Sequence, residues 1–426
     1  MYMNTTLLFS RLKHWGLKGG LSIVDQGLYS GANFVLSILL ARWLIPANYG
    51  IYSIAFAVYQ FVFQAHNSLI LEPMSVLGPA KMPHRLADYL RDQIKLHFFV
   101  SSLGGLFICV VGLLILLFNP TLGKVIILMG LVLSFILLPL LMRRVFYIFR
   151  KTETALVGSM VYLIVLCGIL WIARTSVGMS VELAFPIIGV AGLISGLSLV
   201  KQMPKKKSEL SSVLVTWSSN WDYGKFLVYS SFLIASAVQV QTFAVGAFLG
   251  LSDTGAFRAL QNIVQPVILF FTAISAFVLP SLSFDYGSGN IVGLRSKGKY
   301  LLTLFLVVAS CFEVLLLLFY PSIESLVYEG KFASSAYLLP VWGLVPIASA
   351  VTYVYYFLLQ SIQRPRSILV GSLAWVVTST VLSLVLSLQW GILGATLSVV
   401  AGYLASGIVF GLLYRYHTLK LKQFGS

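Results

Sequence analysis

The sequence predicts an all-α integral membrane protein of about twelve transmembrane helices, arranged as two six-helix halves related by a parallel repeat, with both termini cytoplasmic. Three observations carry that prediction. The 426-residue chain is 58% hydrophobic and only 10% charged, against roughly 25% charged in an average soluble domain. Its apolar stretches recur at the length of a bilayer crossing, about 20 residues for a hydrocarbon core of roughly 30 Å. Its cations, finally, gather in alternate connections between those stretches.

Taken in order, the spans are 21–45, 50–71, 98–118, 125–142, 155–173, 183–200, 226–249, 256–280, 300–320, 335–359, 367–388 and 391–414. This divides the chain into a cytoplasmic tail (1–20), a first six-helix bundle (21–200), a cytoplasmic linker (201–225), a second bundle (226–414) and a tail (415–426). Arg11, Lys13 and Lys18 precede a first span too long for a signal-peptide core, so the N-terminal segment reads as a retained tail. The longer connections are 72–97, 201–225 and 281–299, which leave no room for a soluble catalytic or nucleotide-binding domain. No Gly-rich loop is followed by Lys and Ser or Thr, so direct ATP use is not expected. Cys109, Cys167 and Cys311 all lie in apolar spans and read as packing residues rather than a disulfide framework. No catalytic residue, metal site or cofactor is expected.

A net charge of +16 would suit a nucleic-acid partner, but its distribution argues against one. With the N-terminus inside, all of the 29 Lys and Arg except Arg42, Lys124, Arg174, Arg258 and Lys331 fall on the cytoplasmic side. That is the positive-inside asymmetry of a multi-pass membrane protein. The basic runs, Arg143 and Arg144 among them, are read first as topology signals and second as contacts for anionic lipid headgroups.

The two halves resemble each other. Leu44, Gly50 and Tyr52 correspond at an offset of 205 to Leu249, Gly255 and Phe257, each set in an outer turn. Leu156-Val157-Gly158-Ser159 recurs as Leu369-Val370-Gly371-Ser372, at the start of the fifth span of each half. Six spans per half is an even number, so the halves share an orientation, and transporters built this way place the substrate site between them.

Polar residues single out the first two spans of each half. Asp25, Gln26, Asn33 and Arg42 lie in the first span and Gln60, Gln64, His66 and Asn67 in the second. Gln239 and Gln241 lie in the seventh, and Arg258, Gln261, Asn262 and Gln265 in the eighth. The other spans hold only Glu313. Spacings of three and four align Asp25, Tyr29, Asn33 and Ser37, then Gln60, Gln64 and Asn67, then Arg258, Asn262 and Gln265 along single helix faces. Polar groups are costly in hydrocarbon, so such faces either line a watery path or glue packed helices together. Arg42 and Arg258 sit near the outer ends of their spans, where snorkelling and a cationic cavity site are both open readings. Asp25 reads as an interfacial or coupling carboxylate, His66 as a packed histidine or proton carrier, and Glu313 as a lone carboxylate able to titrate in a coupling cycle. Pro266, Pro340 and Pro346 mark bends; Gly104-Gly105 and Gly192 with Gly196 permit close helix approach.

The stretch Phe34 to Phe56, an apolar helix ending in Ala41-Arg42 and then Leu44-Ile45-Pro46-Ala47-Asn48-Tyr49-Gly50-Ile51-Tyr52, resembles the opening of bacterial polysaccharide-unit flippases of the Wzx type. They belong to the superfamily that also holds multidrug and toxic compound extruders and the peptidoglycan precursor flippase. The twelve spans and the polar first, second, seventh and eighth helices extend the likeness over the whole chain. The resemblance implies a transporter rather than an enzyme. It would move a polyprenyl-diphosphate-linked oligosaccharide, such as an O-antigen, capsule or exopolysaccharide unit, across the bacterial cytoplasmic membrane by alternating access. It implies membrane lipids, a polysaccharide polymerase and chain-length proteins as partners. Arg42 and Arg258 would meet the diphosphate, and Asn33, Gln60, Gln64, Asn67, Gln261, Asn262 and Gln265 the sugar, with Asp25, His66 and Glu313 as candidate coupling groups. The rivals are a cation-coupled multidrug exporter on the same fold and, from another class, a membrane polysaccharide polymerase or ligase.

Overall fold

The computed structural model describes residues 5–81, 85–203 and 213–423, and every regular element among them is helical. The long helices are α1 (Thr5–Trp43), α2 (Pro46–His66), α4 (Leu86–Leu116), α5 (Pro120–Ile148), α6 (Thr152–Ile172) and α7 (Ala184–Val200). They continue as α8 (Val213–Phe248), α9 (Leu251–Gly287), α10 (Ile291–Tyr328), α11 (Leu339–Ser361) and α12 (Pro365–Gln423). One π-helical turn, Asn67–Leu71, joins α2 to the short α3 (Glu72–Lys81). The second span therefore runs on as helix to Lys81, into the expected connection 72–97, and α4 begins twelve residues before its expected span. Likewise residues 213–225 are helical, while 204–212 of the expected linker and the side chains of 5–20 lie outside the described residues.

Among the described residues nine helices are long and apolar enough to cross a membrane. One of them holds both the eleventh and twelfth expected spans, because α12 reverses at Gly391 (φ 59°, ψ −139°), a conformation open to glycine and strained for other residues. The pairing across this hairpin is plain: a Cβ on Gly394 would meet the Leu386 carbonyl, one on Gly402 the Trp375 ring, and one on Gly371 the Phe410 ring. Elsewhere local chemistry sets the helix ends. The Asn119 side chain accepts from Leu122 N (3.0 Å) to cap α5, with Pro120 beginning the helix. Asn290 does the same for α10 through Gly293 N (2.9 Å). Pro340 lies in the first turn of α11, where its missing N–H costs nothing, so it starts a helix rather than bending one. The backbone breaks helical geometry instead at Phe319, two residues before Pro321.

Two compact units result. The first comprises Met1–Leu44 and Val58–Leu233, the second Ile45–Ala57 and Ile234–Ser426. In the first, Leu138, Leu141, Met142 and Phe146 of α5 pack with Ile70, Met74 and Leu90. Here α4 and α5 touch backbone to backbone, since a Cβ on Gly105 would meet the Gly130 carbonyl and the reverse also holds. The outward stripe of α4 is Phe99, Leu103, Leu106, Phe107, Val110 and Leu114, all exposed and apolar, as a lipid-facing helix requires. In the second unit Phe271 stacks on Phe305 (4.2 Å between centroids) and Phe257 meets Trp342 edge-on (5.1 Å).

The repeat motif has a structural counterpart in the second unit. A Cβ on Gly50 would strike the Leu251 carbonyl, and a Cβ on Gly255 would strike the Pro46 carbonyl. Adding the repeat offset of 205 converts one contact into the other, so the first turns of α2 and α9 cross through a self-complementary pair of glycines. The second repeat behaves similarly: Gly158 abuts Leu199, and Gly371 abuts Phe410, each joining the fifth span of its half to the sixth.

Candidate functional site

The most completely built polar site of the first unit centres on Asp25. Its carboxylate is 0% exposed and pairs with Arg143, 4% exposed, through Nη2–Oδ2 at 2.7 Å. Arg143 Nε adds contacts at 3.1 and 3.3 Å, and Tyr147 and Ser159 donate their hydroxyls to the same carboxylate. Arg143 also donates to Gln26 Oε1 (3.1 Å), and its guanidinium carbon lies 4.4 Å from the Tyr29 ring centroid. One helical turn further, Tyr162 stacks near Tyr29 (4.8 Å) and donates to Asn33 Oδ1 (3.1 Å), whose amide in turn donates to the Tyr29 carbonyl. The polar face Asp25, Tyr29, Asn33 of α1 is thus matched by α5 and α6.

This adds to both readings. Arg143 of the basic run is a buried ion-pair partner, and Asp25 is a fully buried carboxylate. The physical reason is mutual: each charge is prohibitively costly in a membrane interior alone, and a bidentate-capable guanidinium with two hydroxyl donors satisfies the carboxylate. Arg144 stays half-buried and lines a surface hollow with Ser75, Leu86 and Arg150.

A second buried pair sits in the same unit. His66 Nε2 is 2.8 Å from His97 Nδ1, and His97 Nε2 is 3.1 Å from the Ser134 carbonyl. A carbonyl only accepts, so the proton of neutral His97 resides on Nε2 and its Nδ1 accepts from His66. His66 Nδ1 is then a buried lone pair that no hydrogen bond satisfies. The π-helical turn begins at the next residue, Asn67, a distortion found often at functional positions.

The amides of α2 and of the π-helical turn differ from Asn33. The side chains of Gln60, Gln64 and Asn67 are half-buried and make no hydrogen bond to any described residue. They are not joining helices, which is what the glue reading requires of them. Arg42 closes the last turn of α1, half-buried.

In the second unit Arg258 of α9 is half-buried and donates to Gln261 Oε1 (2.7 Å), with Tyr49 and Tyr52 in electrostatic range. Asn262 donates to Tyr49 Oη (2.7 Å). No carboxylate among the described residues pairs with Arg258. Gln261 and Gln265 line a cavity of about 100 Å³ with Gln241, Trp342, Trp375 and Tyr403. Both indole N–H groups and the Gln241 amide nitrogen are buried there without a partner. Glu313 is buried in α10 outside that cavity, with Oε2 unpartnered and directed at Gly343. The structure therefore groups Asp25, Asn33, His66, Gln60, Gln64, Asn67 and Arg42 in the first unit, and Arg258, Gln261, Asn262, Gln265 and Glu313 in the second.

Sequence reasoning missed Arg143, Tyr147, Ser159 and His97 as polar partners, and Trp342 and Trp375 as buried donors. His97 stands one residue before the expected third span, and indoles count as apolar in any hydropathy reading.

Comparison with solved structures settles the architecture. A multidrug-resistance MATE family transporter of the MOP superfamily, in an inward-facing conformation, superposes with a TM-score of 0.76 at 15% identity, over 95% of this chain and 100% of that one. The fold is that of the MOP-superfamily transporters. Lipid II flippase MurJ has the same MOP fold, with a TM-score of 0.71 at 15% identity over 93% of this chain and 87% of its own. A MOP transporter from Pyrococcus furiosus matches at 0.61, with 14% identity over 95% of each chain. No protein-family model matches the sequence. Among curated proteins, a probable low-salt glycan biosynthesis flippase, Agl15 of Haloferax volcanii, is 23% identical over 222 residues. That match takes in 52% of this chain and 46% of the relative, so less than half of the relative's length is matched.

Proposed function

We propose that this MOP-fold protein is a flippase that carries a polyprenyl-diphosphate-linked oligosaccharide from the inner to the outer leaflet of a cytoplasmic membrane by alternating access, with both termini on the cytoplasmic side. The observation that carries the reading is Arg258: a cation within a membrane helix, held by a neutral amide with tyrosines nearby and by no carboxylate among the described residues. An uncompensated guanidinium suits a diphosphate, which it can meet bidentately, and repels a cationic drug. The unbonded amides of Gln60, Gln64 and Asn67 have the donors and acceptors needed to replace water around sugar hydroxyls. A sugar chain without such replacements would be desolvated at high cost. The glycan flippase of Haloferax among the relatives supports a lipid-linked sugar substrate. Its archaeal source leaves a bacterial O-antigen or capsule unit, with polymerase and chain-length partners, as the finer proposal resting on the Wzx-like opening.

The second reading, a cation-coupled drug exporter, draws support from the MATE neighbours. Against it, Asp25 is already neutralised by Arg143. Cells expressing the protein are expected to retain cationic dyes as control cells do, and the Arg42→Ala/Arg258→Ala variant is expected to insert normally yet fail to restore surface polysaccharide. Dye extrusion driven by an ion gradient, or normal polysaccharide in the double variant, would favour the exporter.

A further inference from the structure

At one end of the second unit the start of α10 and the ends of α11 and α12 enclose a hollow of about 350 Å³. Arg295 and Lys299 from the first turns of α10 and Arg415 from α12 line it. None of the three forms an ion pair or side-chain hydrogen bond with a described residue. Their neighbour Lys297 behaves differently: it pairs with Asp285 at 2.7 Å and donates to Ser281, also at 2.7 Å. Four positions apart on α10, Arg295 and Lys299 share a face that leaves Lys297 aside.

Two further features distinguish the hollow from a solvated basic surface. Tyr414 is only 6% exposed, lines the hollow, and has a hydroxyl with no hydrogen-bond partner. A buried hydroxyl left unsatisfied is unfavourable, so a ligand oxygen there would be favoured. Leu302, Val354 and Leu358 supply apolar lining. The lining thus combines three cations and a phenol with hydrocarbon, with no carboxylate in it.

We propose that this hollow binds the phosphodiester headgroup of an anionic glycerophospholipid, with an acyl chain along Leu302 and Leu358. The volume lies within the range of pockets for small ligands, roughly 300–1,000 Å³. The charge pattern places this end on the cytoplasmic side, where anionic headgroups draw basic pockets between helices. The proposal is independent of what the protein transports: a resident lipid here would tie α10, α11 and α12 together at their shared end.

The test is native mass spectrometry of the full chain in detergent, titrated with long-chain phosphatidylglycerol, with phosphatidylcholine, and with inorganic phosphate. Parent protein is expected to retain phosphatidylglycerol at least tenfold more tightly than phosphatidylcholine. The variant Arg295→Gln/Lys299→Gln/Arg415→Gln should lose that preference, and Tyr414→Phe should weaken it severalfold. A charge-matched control, Lys201→Gln/Arg364→Gln/Arg366→Gln, should keep it. Thermal unfolding of each variant checks folding, and the mild Tyr414→Phe change gives a reading even if the triple variant fails to fold. Equal retention by parent and Tyr414→Phe, equal binding of the two lipids, or retention of inorganic phosphate as tight as that of phosphatidylglycerol would each overturn the proposal.

Discussion

Replacing Arg143 with Gln tests whether the Asp25 cluster holds the first unit together. In the parent, the Asp25 carboxylate accepts from Arg143, Tyr147 and Ser159 while fully buried. Arg143→Gln leaves that carboxylate without its countercharge, and removing one partner of a buried pair typically costs about 3–5 kcal/mol. Asp25→Asn strands the guanidinium against Gln26 and the Tyr29 face, with a penalty of similar size. The double variant Asp25→Asn/Arg143→Gln buries no charge, and its two amides can bond to each other and to the Tyr147 and Ser159 hydroxyls. It should lose only about 1 kcal/mol, the net worth of ordinary hydrogen bonds. For a unit of about 200 residues, roughly 2–4 °C of midpoint accompanies each kcal/mol. Each single variant should therefore unfold on the order of 10 °C lower than the parent, and the double variant within a few degrees of it. Thermal unfolding in detergent, followed by tryptophan fluorescence, completes the double-mutant cycle. Single variants as stable as the parent, or a double variant whose loss equals the sum of the singles, would refute the reasoning.

The glycine crossing predicts that Gly50→Ala and Gly255→Ala each cost about 1–3 kcal/mol, the usual range for overpacking, because each new methyl meets a backbone carbonyl that cannot rotate away. Gly27→Ala, with nothing within 4 Å of the new methyl, should instead be neutral or stabilising by about 1 kcal/mol; unfolding midpoints of all three decide it. Among the amides, Gln60→Leu, Gln64→Leu and Asn67→Leu should leave the midpoint nearly unchanged while impairing complementation of surface polysaccharide. Asn33→Leu should lower the midpoint by a few degrees, since it removes the bond between the Tyr162 hydroxyl and Asn33 Oδ1. Stability losses of equal size across the four would restore the helix-glue reading.

Helix positions were legible because membrane spans are the strongest signal a sequence carries: all backbone groups must be satisfied within the segment. The repeat was legible too, and the pair Gly50 and Gly255 gained a physical meaning that no alignment of the halves contains. What stayed hidden were contacts made across sequence distance. Arg143 lies at the end of an apolar run beside Arg144, so it looks like any positive-inside residue until α5 is packed against α1. The α3 helix escaped because it falls in the expected connection 72–97, yet Pro73 and Pro79 are both accommodated within its helical backbone. The partnerless donors of Trp342 and Trp375 were invisible for a different reason: their ring area outweighs a single N–H in any hydropathy scale. The spacing of Gln60, Gln64 and Asn67 is plain in the sequence, and only the structure distinguishes these unbonded amides from the bonded Asn33.

The most direct measurement is the sidedness of lipid-linked oligosaccharide in spheroplasts of cells lacking the protein, read with an impermeant sugar-modifying enzyme. The account predicts glycolipid accumulating in a protected, inner-leaflet pool. Restoring the parent protein should expose that pool, and restoring the Arg42→Ala/Arg258→Ala variant should not. Unchanged sidedness on removing the protein would contradict translocation of this substrate.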